Sequence, residues 1–231
     1  LTGPVLDAQL AYWREALAGA PPRLELPADR PRPAVPSDLG ATVPFVLPPE
    51  ATRALRALAR GEGATMFMTL LAAWQLLLSR YSGQDDVLVG SPIAGRGRSE
   101  VEGLIGFFVN TLVLRADLSG DPAFRALLGR VREAALGAYA HQDVPFEKLV
   151  EELQPERSRA HTPFFQVMFS QQNAEPSSLR LGTADVEALP LDAHASRFDL
   201  SLAVAEEGDA LRGLLTYRTD LFDAATAARM L

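Results

Sequence analysis

Ile105-Gly-Phe-Phe-Val-Asn-Thr-Leu-Val-Leu-Arg115, followed by Asp121-Pro-Ala-Phe-Arg-Ala-Leu-Leu-Gly-Arg-Val131, is the stretch on which the fold turns. The first part is a nearly unbroken apolar run and predicts a strand over Phe107–Arg115. In the second part Phe124, Leu127, Leu128, Val131 and Ala135 recur at helical spacing, and Asp121-Pro122 reads as its cap followed by a first-turn proline. A strand handing over to an amphipathic helix points to a layered α/β fold.

The same alternation extends outward. Upstream, Thr42–Leu47 reads as a strand, and Pro48-Pro49-Glu50 opens a helix to about Arg60. Thr65 is placed to cap a further helix whose apolar face runs from Phe67 through Trp74 to Tyr81. Val87–Gly90 reads as a short strand ending at Ser91-Pro92. Downstream, a short helix follows Val144-Pro145. Three β-like runs come next (Phe164–Gln171, Arg197–Ala205 and Leu211–Arg218), and a helix starts near Asp223. At the beginning, Leu10, Trp13 and Leu17 mark a helix over residues 7–19. Six prolines then fall within residues 20–36, which favours an extended surface segment.

Composition narrows the function. The chain has 231 residues, 48% of them apolar, and a net charge of 22 − 29 = −7. The apolar share supports a sizeable core, and the acidic balance argues against a nucleic-acid partner. No window resembles a membrane span or a signal segment, so a cytoplasmic, non-membrane protein is expected. There is no cysteine, and the three histidines (His141, His161 and His194) are far apart, so no local metal motif is present. Lys148 is the one lysine among the basic residues, a bias of composition more than of function.

Five segments are candidates for chemistry. Gly90-Ser-Pro-Ile-Ala-Gly-Arg-Gly97 approaches a phosphate loop, but Arg96 and Gly97 stand where lysine and a hydroxyl residue are needed. It lacks the glycine spacing of a nucleophile elbow as well. Asn110 lies in an apolar strand, where a buried amide needs partners. Either the backbone of a neighbouring loop or a polar channel would satisfy it. In His141-Gln-Asp-Val-Pro-Phe-Glu147, Asp143 reads as a helix cap, with Phe146 and Leu149 packing inward. Arg157, Arg159 and His161 precede the strand around Phe165 and suit either an anion or solvent. Arg197 and Asp199 are expected to form an ion pair on one face of a strand.

In order along the chain, these motifs resemble the condensation domains of nonribosomal peptide synthetases. The resemblance rests on Gly90–Arg96, Ile105–Thr111, His141–Glu147 and Arg157–Phe169, with Gln9–Arg14 and Ser196–Leu200 in support. It implies a chloramphenicol-acetyltransferase-like lobe, a mixed β-sheet flanked by helices. Residues 1–40 would be a helix and proline-rich crossover from an N-terminal lobe, and residues 41–231 the C-terminal lobe. It further implies peptide-bond formation between thioesters carried on phosphopantetheine arms, with no cofactor bound by the chain itself. The implied partners are the N-terminal lobe, peptidyl carrier proteins and an adjacent adenylation domain.

The family's catalytic histidine belongs to a His-His-x-x-x-Asp-Gly motif, and no His-His pair occurs here. No catalytic residue is therefore assigned, and the chain alone is expected to be inert. By resemblance, Ser91, Asn110 and Thr111 are candidates for the substrate tunnel. Arg96, Arg115, His141, Gln142, Asp143, Phe146, Glu147, Arg159 and Phe165 are candidates for structural and latch roles. Part of the apolar surface is expected to be exposed for the other lobe. Epimerisation or heterocyclisation lobes, and a non-catalytic docking module for carrier protein or a tailoring enzyme, are the alternatives.

Overall fold

The structure, a computed structural model, describes residues 2–97, 99–155, 161–172 and 194–231. Its centre is a six-stranded mixed sheet in the order β1-β6-β5-β4-β2-β3, formed by β1 (Gly40–Leu47), β2 (Asp86–Ile93), β3 (Asn110–Asp117), β4 (Val167–Gln172), β5 (Leu200–Glu207) and β6 (Ala210–Arg218). β2 and β4 run parallel, as do β4 and β5, and the remaining neighbours are antiparallel.

Both faces carry helices. α2 (Pro49–Gly61), α3 (Met66–Ser82) and α5 (Phe124–Ala140) pack on one side. There Phe67 of α3 meets Phe169 of β4 at 5.3 Å between ring centroids and Tyr139 of α5 at 6.4 Å. Successive strand residues point to opposite faces, so Met168 and its register partner Gly90 belong to the other side. That side carries Phe165, α6 (Phe146–Leu153) and α1 (Gly3–Ala16), with Phe165 and Phe146 at 5.4 Å. Gly90 is required here, because a Cβ would lie 2.2 Å from the Phe165 ring and 2.6 Å from the Met168 sulfur. Two short helices, α4 (Ser99–Glu102) and α7 (Ala224–Met230), complete the set among the described residues.

Several local expectations change. α1 spans 3–16, shifted towards the N-terminus from 7–19. β2 continues through Ser91 and Pro92. Beyond Gly90 it is laddered to β3 alone, so one side of its backbone has no bonds for a proline to interrupt. β3 begins at Asn110 instead of Phe107, because β2 ends at Ile93, the register partner of Asn110, and leaves residues 107–109 unpaired. α5 starts at Phe124 after the cap residue Ala123. Asp121 has a left-handed φ of 47° and binds Arg80 at 2.6 Å instead of capping. Thr65 does cap α3, accepting from the Met68 N–H at 3.2 Å.

The expected Arg197–Asp199 pair is also replaced. β5 starts at Leu200, Arg197 is exposed, and Asp199 is buried against Arg32 and Arg218. The proline-rich segment thereby gains an anchor. Two side-chain amides add to it, because a proline-dense backbone offers too few donors for a sheet. Gln166 Oε1 accepts from the Leu24 N–H at 2.8 Å. Gln84 accepts from the Glu25 N–H at 2.6 Å and donates to the Arg23 carbonyl at 3.1 Å. Leu24, with Leu10, Trp13 and Leu17 of the N-terminal helical region, enters the main core. Among the described residues no helix is long and apolar enough to cross a membrane.

Candidate functional site

Asn110 opens β3 at the sheet edge, beside the turn that joins α5 to α6. Its Nδ2 donates to the carbonyls of Gln142 (2.9 Å) and Val144 (2.8 Å), and its Oδ1 accepts from the N–H groups of Thr111 (2.8 Å) and Phe146 (3.0 Å). The last bond gives the first N–H of α6 its acceptor. Asp143 is therefore not the cap it was expected to be: the cap position is Pro145, which has no side-chain acceptor.

α1 grips the same turn from the opposite side. Trp13 Nε1 donates to the His141 carbonyl at 2.9 Å, and the rings of Tyr12 and His141 stack at 4.0 Å. Gln9 donates to Asp143 Oδ2 at 2.9 Å and accepts from the Asp143 N–H at 3.2 Å. His141 Nδ1 lies 2.8 Å from the Gly137 carbonyl. Burial pushes the Tyr12 phenol above its ordinary pKa.

The turn and the segment before β3 enclose a cavity of about 350 Å³, lined by Asn110, Gln142, Asp143, Pro145 and Glu147 opposite Gly95, Gly97 and Phe107–Val109. Gly95, at a φ of 65°, brings its backbone against Phe108, and a Cβ there would sit 1.9 Å from the Phe108 carbonyl oxygen. Arg96 stacks over the Phe108 ring at 4.3 Å and donates to the Val101 and Glu102 carbonyls. Leu104, Ile105, Phe107 and Val109 are exposed, Phe107 to 90%.

Thr111 faces a second cavity of about 620 Å³ with Phe146, Phe165, Phe198 and Arg197, and Glu147 borders both. Adjacent strand positions point apart, which is why Asn110 and Thr111 serve different cavities. Ser91 is buried in β2 opposite Leu112 and lines neither cavity. Arg115 lies apart from both. It binds both Asp86 oxygens at 2.8 and 2.7 Å and the Ala16 and Ala18 carbonyls, and the bond to Asp86 raises its pKa despite partial burial. Arg157 and Arg159 fall outside the described residues. Among the described residues no three His, Asp or Glu side chains converge as metal ligands. Gln9 was not anticipated as part of the site. Its sequence signals are its place at the head of the Gln9–Arg14 segment and a helix face shared with Trp13 four positions on.

Comparison with known proteins gives this geometry a family. The sequence pattern of the Condensation domain family matches residues 3–231. The chain belongs to that family.

As a condensation-domain chain it is similar to one component of the linear gramicidin synthase of Brevibacillus parabrevis, with 55% identity over 232 residues. The match covers 100% of the chain and 3% of that synthase component, so the chain spans a small part of the curated relatives it matches. Among solved structures, the X-domain from teicoplanin biosynthesis superposes with a TM-score of 0.91 at 33% identity, covering 97% of this chain and 52% of the other. The X-domain in complex with OxyB gives 0.87 at 34%, covering 98% and 50%. A four-domain nonribosomal peptide synthetase bound to AMP and glycine gives 0.91 at 26%, covering 100% and 19%. The mixed sheet flanked by helices is thus the chloramphenicol-acetyltransferase-like fold of condensation domains.

Proposed function

We propose that the chain is the C-terminal lobe of a two-lobed condensation domain that forms peptide bonds between carrier-bound thioesters in a nonribosomal peptide synthetase. The observation that carries this reading is coverage: the chain accounts for 52% of the X-domain structure it superposes on. The other half of such a unit comes from other residues. The exposed Ile105, Phe107 and Val109 beside the Asn110 cavity support the reading, since apolar side chains grouped at a rim suit a partner surface.

In the reaction the acceptor's amine nitrogen attacks the donor thioester carbon, the C–S bond breaks, and the phosphopantetheine thiol of the donor carrier leaves. The amine's surplus proton passes to a base within hydrogen-bond reach. That base is expected from the His-His-x-x-x-Asp-Gly motif of the other lobe. Within this chain His141 is committed to the Tyr12 stack and the Gly137 carbonyl. The chain alone is therefore inert, and its work is to hold one wall of the tunnel. Its partners are the N-terminal lobe, peptidyl carrier proteins and an adjacent adenylation domain, in the cytoplasm.

The test is a condensation assay with aminoacyl-loaded donor and acceptor carriers. Product is expected when this chain is joined to its complementary lobe and absent with the chain alone. Product from the chain alone would overturn the inertness, and no product from the folded pair would overturn the reading. A second reading, a docking module, is favoured by the solved complex of the similar X-domain with OxyB. Saturable binding of a carrier protein or a tailoring enzyme to a folded but unproductive pair would select it.

A further inference from the structure

Gln9 is a polar side chain in a buried position, 7% exposed, on the helix most distant in sequence from the turn it touches. Both ends of its amide go to one residue: Nε2 to the Asp143 carboxylate and Oε1 to the Asp143 N–H. An unpaired buried amide is costly, so the pairing holds Gln9 and Asp143 in one arrangement. Asp143 is itself exposed, where an aspartate on a turn would otherwise be free to rotate. No cation lies within ion-pair distance of it among the described residues, and its side-chain partner is a neutral amide. Among the described residues, the carboxylate is thus held by a group that carries no opposite charge.

The cavity that Asp143 borders has matching character. Its described lining contains two carboxylates, Asp143 and Glu147, and the exposed ring of Phe107, while the neighbouring Phe108 ring is already covered by Arg96. Two carboxylates beside the Phe107 ring suit a cationic amine. We propose that Gln9 is a positioning residue that acts through Asp143, holding its carboxylate at the rim of the Asn110 cavity to receive the ammonium group of the acceptor. The identity of the amine as the acceptor rests on the function proposed above; the positioning of Asp143 does not.

The experiment uses this chain joined to its complementary lobe, with glycyl-N-acetylcysteamine thioester as the acceptor probe. Gln9→Ala should raise the acceptor KM about tenfold, the value of one charged hydrogen bond, and leave the donor KM and kcat unchanged. In an Asp143→Ala background it should have no further effect. An equal rise in donor KM, or an undiminished effect without Asp143, would overturn the proposal. Binding of the same probe and of its N-acetylated form, followed by NMR on the full chain, needs no turnover. Gln9→Ala should weaken only the form with a free ammonium, and equal weakening of both would overturn the proposal. Amide exchange at Asp143 should also quicken in Gln9→Ala, and unchanged exchange would count against the clamp. If the wild-type pair makes no product while these binding and exchange results hold, the proposed condensation activity fails and the positioning role stands.

Discussion

The ring of Tyr12 lies flat on the ring of His141, with centroids 4.0 Å apart and planes 5° from parallel. This stack joins the first helix to the turn after α5, and it places the Tyr12 hydroxyl against Gly137. A Cβ on Gly137 would be 2.6 Å from that oxygen. Replacing a helical glycine by alanine normally stabilises by about 1 kcal/mol. Here Gly137→Ala should instead destabilise by about 1–2 kcal/mol through overpacking. Adding Tyr12→Phe should recover part of the loss, since the nearest ring carbons would then be 3.0 and 3.1 Å away. Urea denaturation of the two variants and their combination measures this, and a stabilising Gly137→Ala would refute the packing argument.

Asn110 spends both donors and its acceptor on backbone groups of two segments. Asn110→Ala should cost about 2–3 kcal/mol, because carbonyls and N–H groups lose partners in a partly buried site. Asn110→Asp should cost more. It keeps the acceptor but turns a carboxylate oxygen towards the Gln142 and Val144 carbonyls. Equilibrium unfolding that ranks the aspartate variant above the alanine variant would count against this arrangement.

Asp199 is buried between Arg32 and Arg218 and anchors the proline-rich segment to the sheet. Removing the carboxylate that bridges two arginines in a buried site leaves Asp220 as the carboxylate on Arg218, so Asp199→Ala should cost about 3 kcal/mol. Proteolysis within residues 20–36 should accelerate in the same variant. Unchanged cleavage there would show that the other anchors, Gln84, Gln166 and the bonds of Asp29 and Arg30 to residues 219–226, suffice to hold the segment.

Acid stability should depend on Asp220. Burial pushes its carboxyl pKa up, but the Arg218 guanidinium and the Ser37 N–H and hydroxyl outweigh this and hold it below the usual value of 3.8. A pKa lowered by folding contributes stability above the unfolded value, and that stability is lost as pH falls through the folded one. The stability difference between wild type and Asp220→Asn should therefore be full at neutral pH and close below about pH 4. A difference that persists in acid would mean the carboxylate's charge is not what stabilises.

Much of the fold was legible because it follows local periodicity. The apolar face of α3 and the Thr65 cap lie within a few residues of one another, so spacing suffices to find them. The errors fell where a neighbour decides. Phe107–Val109 has the composition of a strand, yet β2 ends opposite Asn110 and leaves those residues unpaired. Asp121 has the composition of a cap, yet Arg80 claims it. At the site, the need of Asn110 for partners was readable, and both a loop and a channel would have met it. Its bonds run to the loop while its side chain also borders the cavity.

The sequence by itself determined the family, since the order of motifs from Gly90 to Phe169 is a linear pattern. It also determined the alternation of strands and helices, because hydrophobic spacing is local. Only the tertiary structure decided that Gln9 meets Asp143, 134 positions away, that Asp199 binds Arg32 and Arg218 instead of Arg197, and that Asn110 and Thr111 open onto different cavities. Such pairings depend on which side-chain atoms the packed sheet brings within about 3 Å, a relation that no period in the chain encodes.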